Sequence, residues 1–78
     1  MKLEYDGHIK GGFRGWHGDS VYVLQNGTKW RLVGYRYSYH YAYRPGVKLW
    51  SDGGRYLLEV DGMSEMVEVR RTSDDPKD

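Results

Sequence analysis

Hydrophobic positions in this chain recur at every second residue rather than at every third or fourth. In Val21-Tyr22-Val23-Leu24-Gln25-Asn26-Gly27-Thr28-Lys29-Trp30-Arg31-Leu32 two alternating runs flank Asn-Gly, the dipeptide that most readily supplies the two positive-φ residues of a type I′ turn. A two-residue loop at Asn26-Gly27 predicts Val23 opposite Trp30 and Val21 opposite Leu32 on one face. Tyr22 with Arg31, and Leu24 with Lys29, then fall on the other. Downstream, a turn closed by Asp52-Gly53 sets Leu49 against Tyr56 and Val47 against Leu58. A four-residue loop, Asp61-Gly62-Met63-Ser64, then opposes Val60 to Glu65, Leu58 to Val67 and Tyr56 to Val69; a shorter loop would set Leu58 against Glu65 and spoil the apolar face. Between His8 and Trp16 the alternation is weaker, although Ile9 and Phe13 share a face and Gly11-Gly12 permits a bend at a sheet corner.

No segment carries apolar residues at helical spacing for three turns, and the chain holds 11 Gly. Each would cost a helix interior about 1 kcal/mol. The expected fold is therefore all-β: a first strand, a hairpin and a three-stranded meander, about five or six strands in all. So few short strands leave edges open unless the sheet curls, which points to a small antiparallel SH3-like or related barrel. An open sheet paired across a dimer is the alternative. The expected core is Ile9, Phe13, Val21, Val23, Trp30, Leu32, Val47, Leu49, Tyr56, Leu58, Val60, Val67 and Val69. Residues 1–71 read as one domain and 72–78 as a frayed, disordered polar tail.

The segment Tyr35-Arg36-Tyr37-Ser38-Tyr39-His40-Tyr41-Ala42-Tyr43-Arg44-Pro45 departs from the rest. In a strand its period of two puts Tyr35, Tyr37, Tyr39, Tyr41 and Tyr43 on one side, with Arg36, Ser38, His40 and Arg44 on the other. With Trp30 and Leu32 inward, an unbroken strand carries the tyrosines outward beside Lys29 and Arg31; a bulge at Gly34 would swap the faces. Exposed, such a stripe is a platform on which bases, prolines or sugar rings stack while Arg and Lys attract anions. Packed, the same rings close the barrel or a subunit interface with their hydroxyls wet.

Charge sharpens this picture. The formal net charge is only +1, yet Lys29, Arg31, Arg36, Arg44 and Lys48 lie between Asp19 and Asp52 with no acid among them. The absence of Cys excludes disulfides, thiol catalysis and Cys-ligated metal. A chain of this size buries only about 60% of its unfolded surface, so oligomerisation is the reinforcement left to it. The first residues lack the apolar run of a signal peptide, and no stretch approaches the ~20 apolar residues of a membrane span. A cytoplasmic protein with no membrane partner is expected.

Candidate acid–base groups are His8, His17, His40, Asp6, Asp19, Asp52 and Asp61. His17-Gly18-Asp19 could bring an imidazole near a carboxylate, but two ligands in a Gly turn make neither a metal site nor a catalytic one. Asp52 and Asp61 each precede Gly and serve as turn residues. There is no sharp Ser turn and no phosphate-loop lysine. No metal and no cofactor is implied.

With Phe13-Arg14-Gly15-Trp16, the Asn-Gly hairpin, the Tyr run and Arg55-Tyr56-Leu57-Leu58-Glu59-Val60-Asp61-Gly62-Met63 in view, the chain resembles a family of short bacterial proteins. These carry an F-x-G-W turn, an L-x-N-G-x-x-W hairpin and a Y-x-Y-x-Y-R-P run in this order. The similarity spans roughly His8 to Arg71. Such domains occur among mobile gene-cassette (integron cassette) products with no established activity, so the resemblance implies a bacterial origin and a small β fold but no mechanism. Relatives of this kind often carry Gln after the hairpin Trp, where this chain has Arg31.

The leading expectation is a non-enzymatic binding module whose contact surface is Tyr35, Tyr37, Tyr39, Tyr41 and Tyr43 with Arg31, Arg36 and Arg44. Its partner would be single-stranded nucleic acid or a peptide or acidic protein surface. A homo-oligomer using the tyrosine strand as its interface is the alternative, and an oligomeric barrel enzyme the weaker third.

Overall fold

The alternation resolves into eight strands: β1 (Lys2–His8), β2 (Gly12–Phe13), β3 (Val21–Val23), β4 (Lys29–Leu32), β5 (Ala42–Tyr43), β6 (Gly46–Asp52), β7 (Arg55–Val60) and β8 (Val67–Thr72). The structure, a computed structural model, describes residues 1–18 and 20–76, and no helix occurs among them. Six strands form one antiparallel sheet in the order β1-β6-β7-β8-β4-β3, and β2 pairs with β5 beside it. The two edges of the large sheet meet at one end. Ile9, just past β1, bridges to Leu24, just past β3. Around that bridge Lys10 N–H donates to Val23 O at 2.8 Å and Gln25 N–H to His8 O at 2.9 Å. Backbone groups that would otherwise be open edges are satisfied there.

β1 has no counterpart among the expected strands. Its seven residues carry little apolar alternation, and what holds it is register with β6, from Lys2 opposite Ser51 to His8 opposite Gly46. Pairing across that distance in sequence leaves no local signal.

The first hairpin turns where expected but in a different register. Val21 lies opposite Arg31, Tyr22 opposite Trp30 and Val23 opposite Lys29, because the loop is Gln25-Asn26-Gly27, one residue longer than Asn-Gly alone. Leu24 N–H donates to Thr28 O at 2.9 Å, and Gly27, at φ 88°, takes the left-handed position that ends a three-residue hairpin loop. Asn26 keeps an ordinary φ. Its carboxamide oxygen accepts from Thr28 N–H at 3.0 Å and Thr28 Oγ1 at 2.6 Å, so the side chain stabilises the turn instead. A one-residue slip exchanges faces. Tyr22 therefore packs inward with Trp30, Leu24 is fully buried, and Val23 moves to a half-buried place beside Lys29.

In the second hairpin the loop is Gly53-Gly54, with Asp52 opposite Arg55. Leu49 consequently pairs with Leu58 and Val47 with Val60, a shift of two residues that keeps every side chain on its expected face. Tyr56 opposite Val69 and Leu58 opposite Val67 stand as expected. The link between β7 and β8 spans 61–66, longer than four residues, so Val60 and Glu65 are not partners.

The core gathers Ile9, Phe13, Trp30, Leu32, Val47, Leu49, Leu58, Val60, Val67 and Val69 with three residues not expected there, Trp16, Tyr22 and Leu24. Val21 is buried but stands outside that cluster, and Val23 and the 37% exposed Tyr56 fall outside the core. Trp16 meets the rings of Phe13 (5.3 Å, 80°) and Tyr22 (5.5 Å, 88°) edge to face, the arrangement that ring quadrupoles favour.

Candidate functional site: an aromatic cleft beside a basic strip

After β4 the chain leaves the sheet, so the tyrosine run is not one strand. Between Gly34 and Tyr41 its single sheet-like contact is the bridge of Ser38 to Trp16, in which each N–H donates to the other's carbonyl at 2.8 Å. β5 then pairs with β2 through Gly12–Tyr43 and Phe13–Ala42. Two anchors thus hold an otherwise irregular segment against the F-x-G-W turn. All five of its tyrosines remain open to solvent, between 54% and 87% exposed. Tyr35 lies over Gly18, one ring carbon 3.1 Å from where a Cβ would stand.

Tyr41 and Tyr43 line a cleft of about 370 Å³ whose other walls are Phe13, Arg14, His17, Ser20, Val21, Tyr22 and Pro76. Val21 sits opposite Arg31 in the β3–β4 ladder, so the cleft adjoins the outer face of β4. On that face Arg31 stands opposite Arg70, and Lys29 opposite Thr72. Strand register therefore adds Arg70 to the Lys29 and Arg31 that alternation already puts on one face, and assembles a strip of three cations. Arg14 has no ion-pair partner among the described residues. Arg31 pairs with Asp74, and Lys29 Nζ lies 2.5 Å from Asp75 Oδ1, a contact that holds the Asp75 carboxyl below the usual carboxylate range.

The expected arginines do not form one patch. Arg31 belongs to the strip, whereas Arg36 pairs with Glu65 of the β7–β8 link. Arg44, at φ 53°, donates its N–H to Gly11 O at 2.8 Å. With the Gln25 amide turned to suit its neighbours, that guanidinium's Nε donates to the Gln25 oxygen at 3.1 Å. Arg14 and Arg70 are the cations that single-residue reasoning left out, and Lys29, expected beside the tyrosines, joins Arg70 in the strip.

The titratable candidates are dispersed. His8 ends β1 opposite Gly46, and His40 packs on Gly62. Asp6 stands opposite Lys48, Asp52 is 4.0 Å from Arg55, and the Asp61 carboxylate packs on Gly46. Asp19 lies outside the described residues, as do the last two of residues 72–78. His17 pairs with Ser20, Nδ1 to Oγ 2.6 Å. No carboxylate among the described residues hydrogen-bonds that ring, so the orienting third group of an activated nucleophile is missing from them. No group of three or more His, Cys, Asp or Glu among the described residues could hold a metal, and no helix is long and apolar enough to cross a membrane.

Tyr22 forms the cleft's inner wall and donates its hydroxyl to Gly15 O at 2.9 Å. Burial pushes its pKa above 10.0. Since the unfolded chain ionises first, this group's contribution is intact below about pH 10 and is lost as pH rises through the higher folded value. Urea midpoints should fall as pH rises above about 10, and Tyr22→Phe should flatten that fall. Equal slopes for the two proteins would show that the phenol is not held neutral by the fold.

Comparison with protein-family models, with curated proteins and with solved structures returns no match.

Proposed function

We propose that this protein is a non-enzymatic binding module that holds single-stranded nucleic acid across the Tyr41–Tyr43 cleft and the Lys29–Arg31–Arg70 strip. The observation that carries this reading is the adjacency of open tyrosine rings to a strip of cations, brought about by the β3–β4 and β4–β8 registers. Bases stack on aromatic faces, and cations follow the phosphates. Tyr35, packed on Gly18 next to the cleft residue His17, extends the stacking surface, whereas Arg36 on Glu65 and Arg44 on Gln25 are engaged elsewhere. The SH3-like barrel and the integron-cassette origin belong to the same proposal; they are supported by the meeting of the sheet edges and by the motif order.

Fluorescence anisotropy of a labelled oligothymidylate tests it. Affinity should fall steeply as salt rises from about 50 mM to about 200 mM. Tyr41→Ala and Tyr43→Ala should each weaken binding about five- to hundredfold, the loss of one stacked base. Salt-insensitive binding, or tighter capture of an acidic peptide, would remove the nucleic-acid reading.

A homo-oligomer is favoured by a different surface from the one expected. Leu3, opposite Trp50, and Leu57, also opposite Trp50, make an outward apolar row on β1, β6 and β7. Met1, Met63 and Met66 line a cleft around the same indole. Residues 34–41, by contrast, offer only the Ser38 bridge in place of a strand for edge pairing. Sedimentation of the wild type and Trp50→Ala at equal concentration separates this reading from a monomeric module.

A further inference from the structure

Past the end of β8 the chain turns back over the site. Asp74 N–H donates to Thr72 Oγ1 at 3.1 Å, closing a local turn, and the Asp74 carboxylate pairs with Arg31. Asp75 reaches Lys29 at 2.5 Å, and Pro76 enters the wall of the cleft that Tyr41 and Tyr43 line. Two carboxylates and a ring thus lie along the surface to which the preceding subsection assigns phosphates and a base.

We propose that residues 74–76 are the resident intramolecular occupant of the nucleic-acid surface, and that a strand binds by displacing them. This rests on the nucleic-acid reading of that surface. There is an electrostatic reason for such an occupant. Arg31 and Arg70 stand directly opposite each other, and like charges so placed destabilise a sheet; the Asp74 carboxylate on Arg31 offsets that repulsion whenever no phosphate is there. The strength of the contact also suits a removable cover. Exposed ion pairs are individually weak and screened by salt, but a segment tethered next to its site acts at an effective concentration on the order of millimolar. The two ion pairs and the Pro76 contact act together to hold the cover in place, while a polyanion that replaces both carboxylates and adds stacking can displace it.

The test compares the wild type with an Asp74→Asn/Asp75→Asn double variant, which keeps side-chain shape and removes both charges. At about 50 mM salt the variant should bind labelled oligothymidylate about three- to tenfold more tightly, and the gap should close as salt screens the ion pairs in the wild type. Amide resonances of Lys29 and Arg31 should also move in the variant before any nucleic acid is added. Pro76→Gly should shift the Tyr41 and Tyr43 ring signals. Equal affinity of the two proteins overturns the occupant proposal while leaving the binding surface in place, and so do unmoved Lys29 and Arg31 resonances. If neither protein binds the oligonucleotide, the nucleic-acid reading itself fails and the competition falls with it.

Discussion

Trp16→Ala should remove a large share of the protein's stability and lower its urea midpoint sharply. Trp16 is the largest of the fully buried side chains, at 0% exposure, and lies edge to face with Phe13 and Tyr22. Deleting a buried indole costs about 3–5 kcal/mol, because lost transfer energy is joined by an unfilled cavity. At about 0.05–0.15 kcal/mol per residue a chain of 78 residues has roughly 4–12 kcal/mol in total. A urea melt followed by far-UV circular dichroism should show the midpoint lowered by at least about 1.5 M, given a slope near 1–2 kcal/mol/M for so small a domain. Trp16→Phe should be far milder. The indole Nε1 meets no hydrogen-bond partner among the described residues, so Phe gives up no hydrogen bond within them and keeps a ring against Phe13 and Tyr22. A wild-type midpoint for the Ala variant would mean that the F-x-G-W corner is not part of the core.

Gly15→Ala should be the most damaging change of a single methyl. Gly15 has φ 92°, and a Cβ there would stand 2.0 Å from Ser38 O and 2.8 Å from His40 N. Both obstacles are backbone, so neither can swing aside, and both belong to the segment that carries the tyrosines. The expected loss is at least about 2 kcal/mol from strain and displacement together. The bridge of Trp16 to Ser38 should also break, so that the proposed nucleic-acid binding weakens even in the fraction that stays folded. Gly27→Ala provides the contrast. Gly27 has φ 88° with nothing within 4 Å of a would-be Cβ, leaving backbone strain of about 1–2 kcal/mol alone. If the two variants melt alike, the Ser38 bridge does not hold the tyrosine segment in place.

Both effects arise at positions where local sequence signals were weak, and the same contrast runs through the fold. What the sequence determines by itself is short-range. Alternation over Val21–Val23, Lys29–Leu32 and Arg55–Val60 makes strands because period-two side chains leave one face to bury. The turns near Asn26-Gly27, at Gly53-Gly54 and after Val60 lie where turn-forming residues interrupt that alternation. Whether the tyrosines face outward stays open in the sequence, because parity decides it only for an unbroken strand; the structure exposes all five on an anchored irregular segment instead.

Tertiary structure decides what depends on contacts between distant residues. One extra loop residue, selected because Asn26 prefers to bond Thr28 rather than adopt a positive φ, puts Tyr22 rather than Val23 in the core. β1 exists because β6 offers it a partner edge. The β4–β8 register places Arg31 against Arg70 across 39 residues of chain, 70 − 31, and so completes the basic strip beside the tyrosine cleft. Pairing of this kind has no local signature, because its stabilisation is collected only after the loop between the strands has closed.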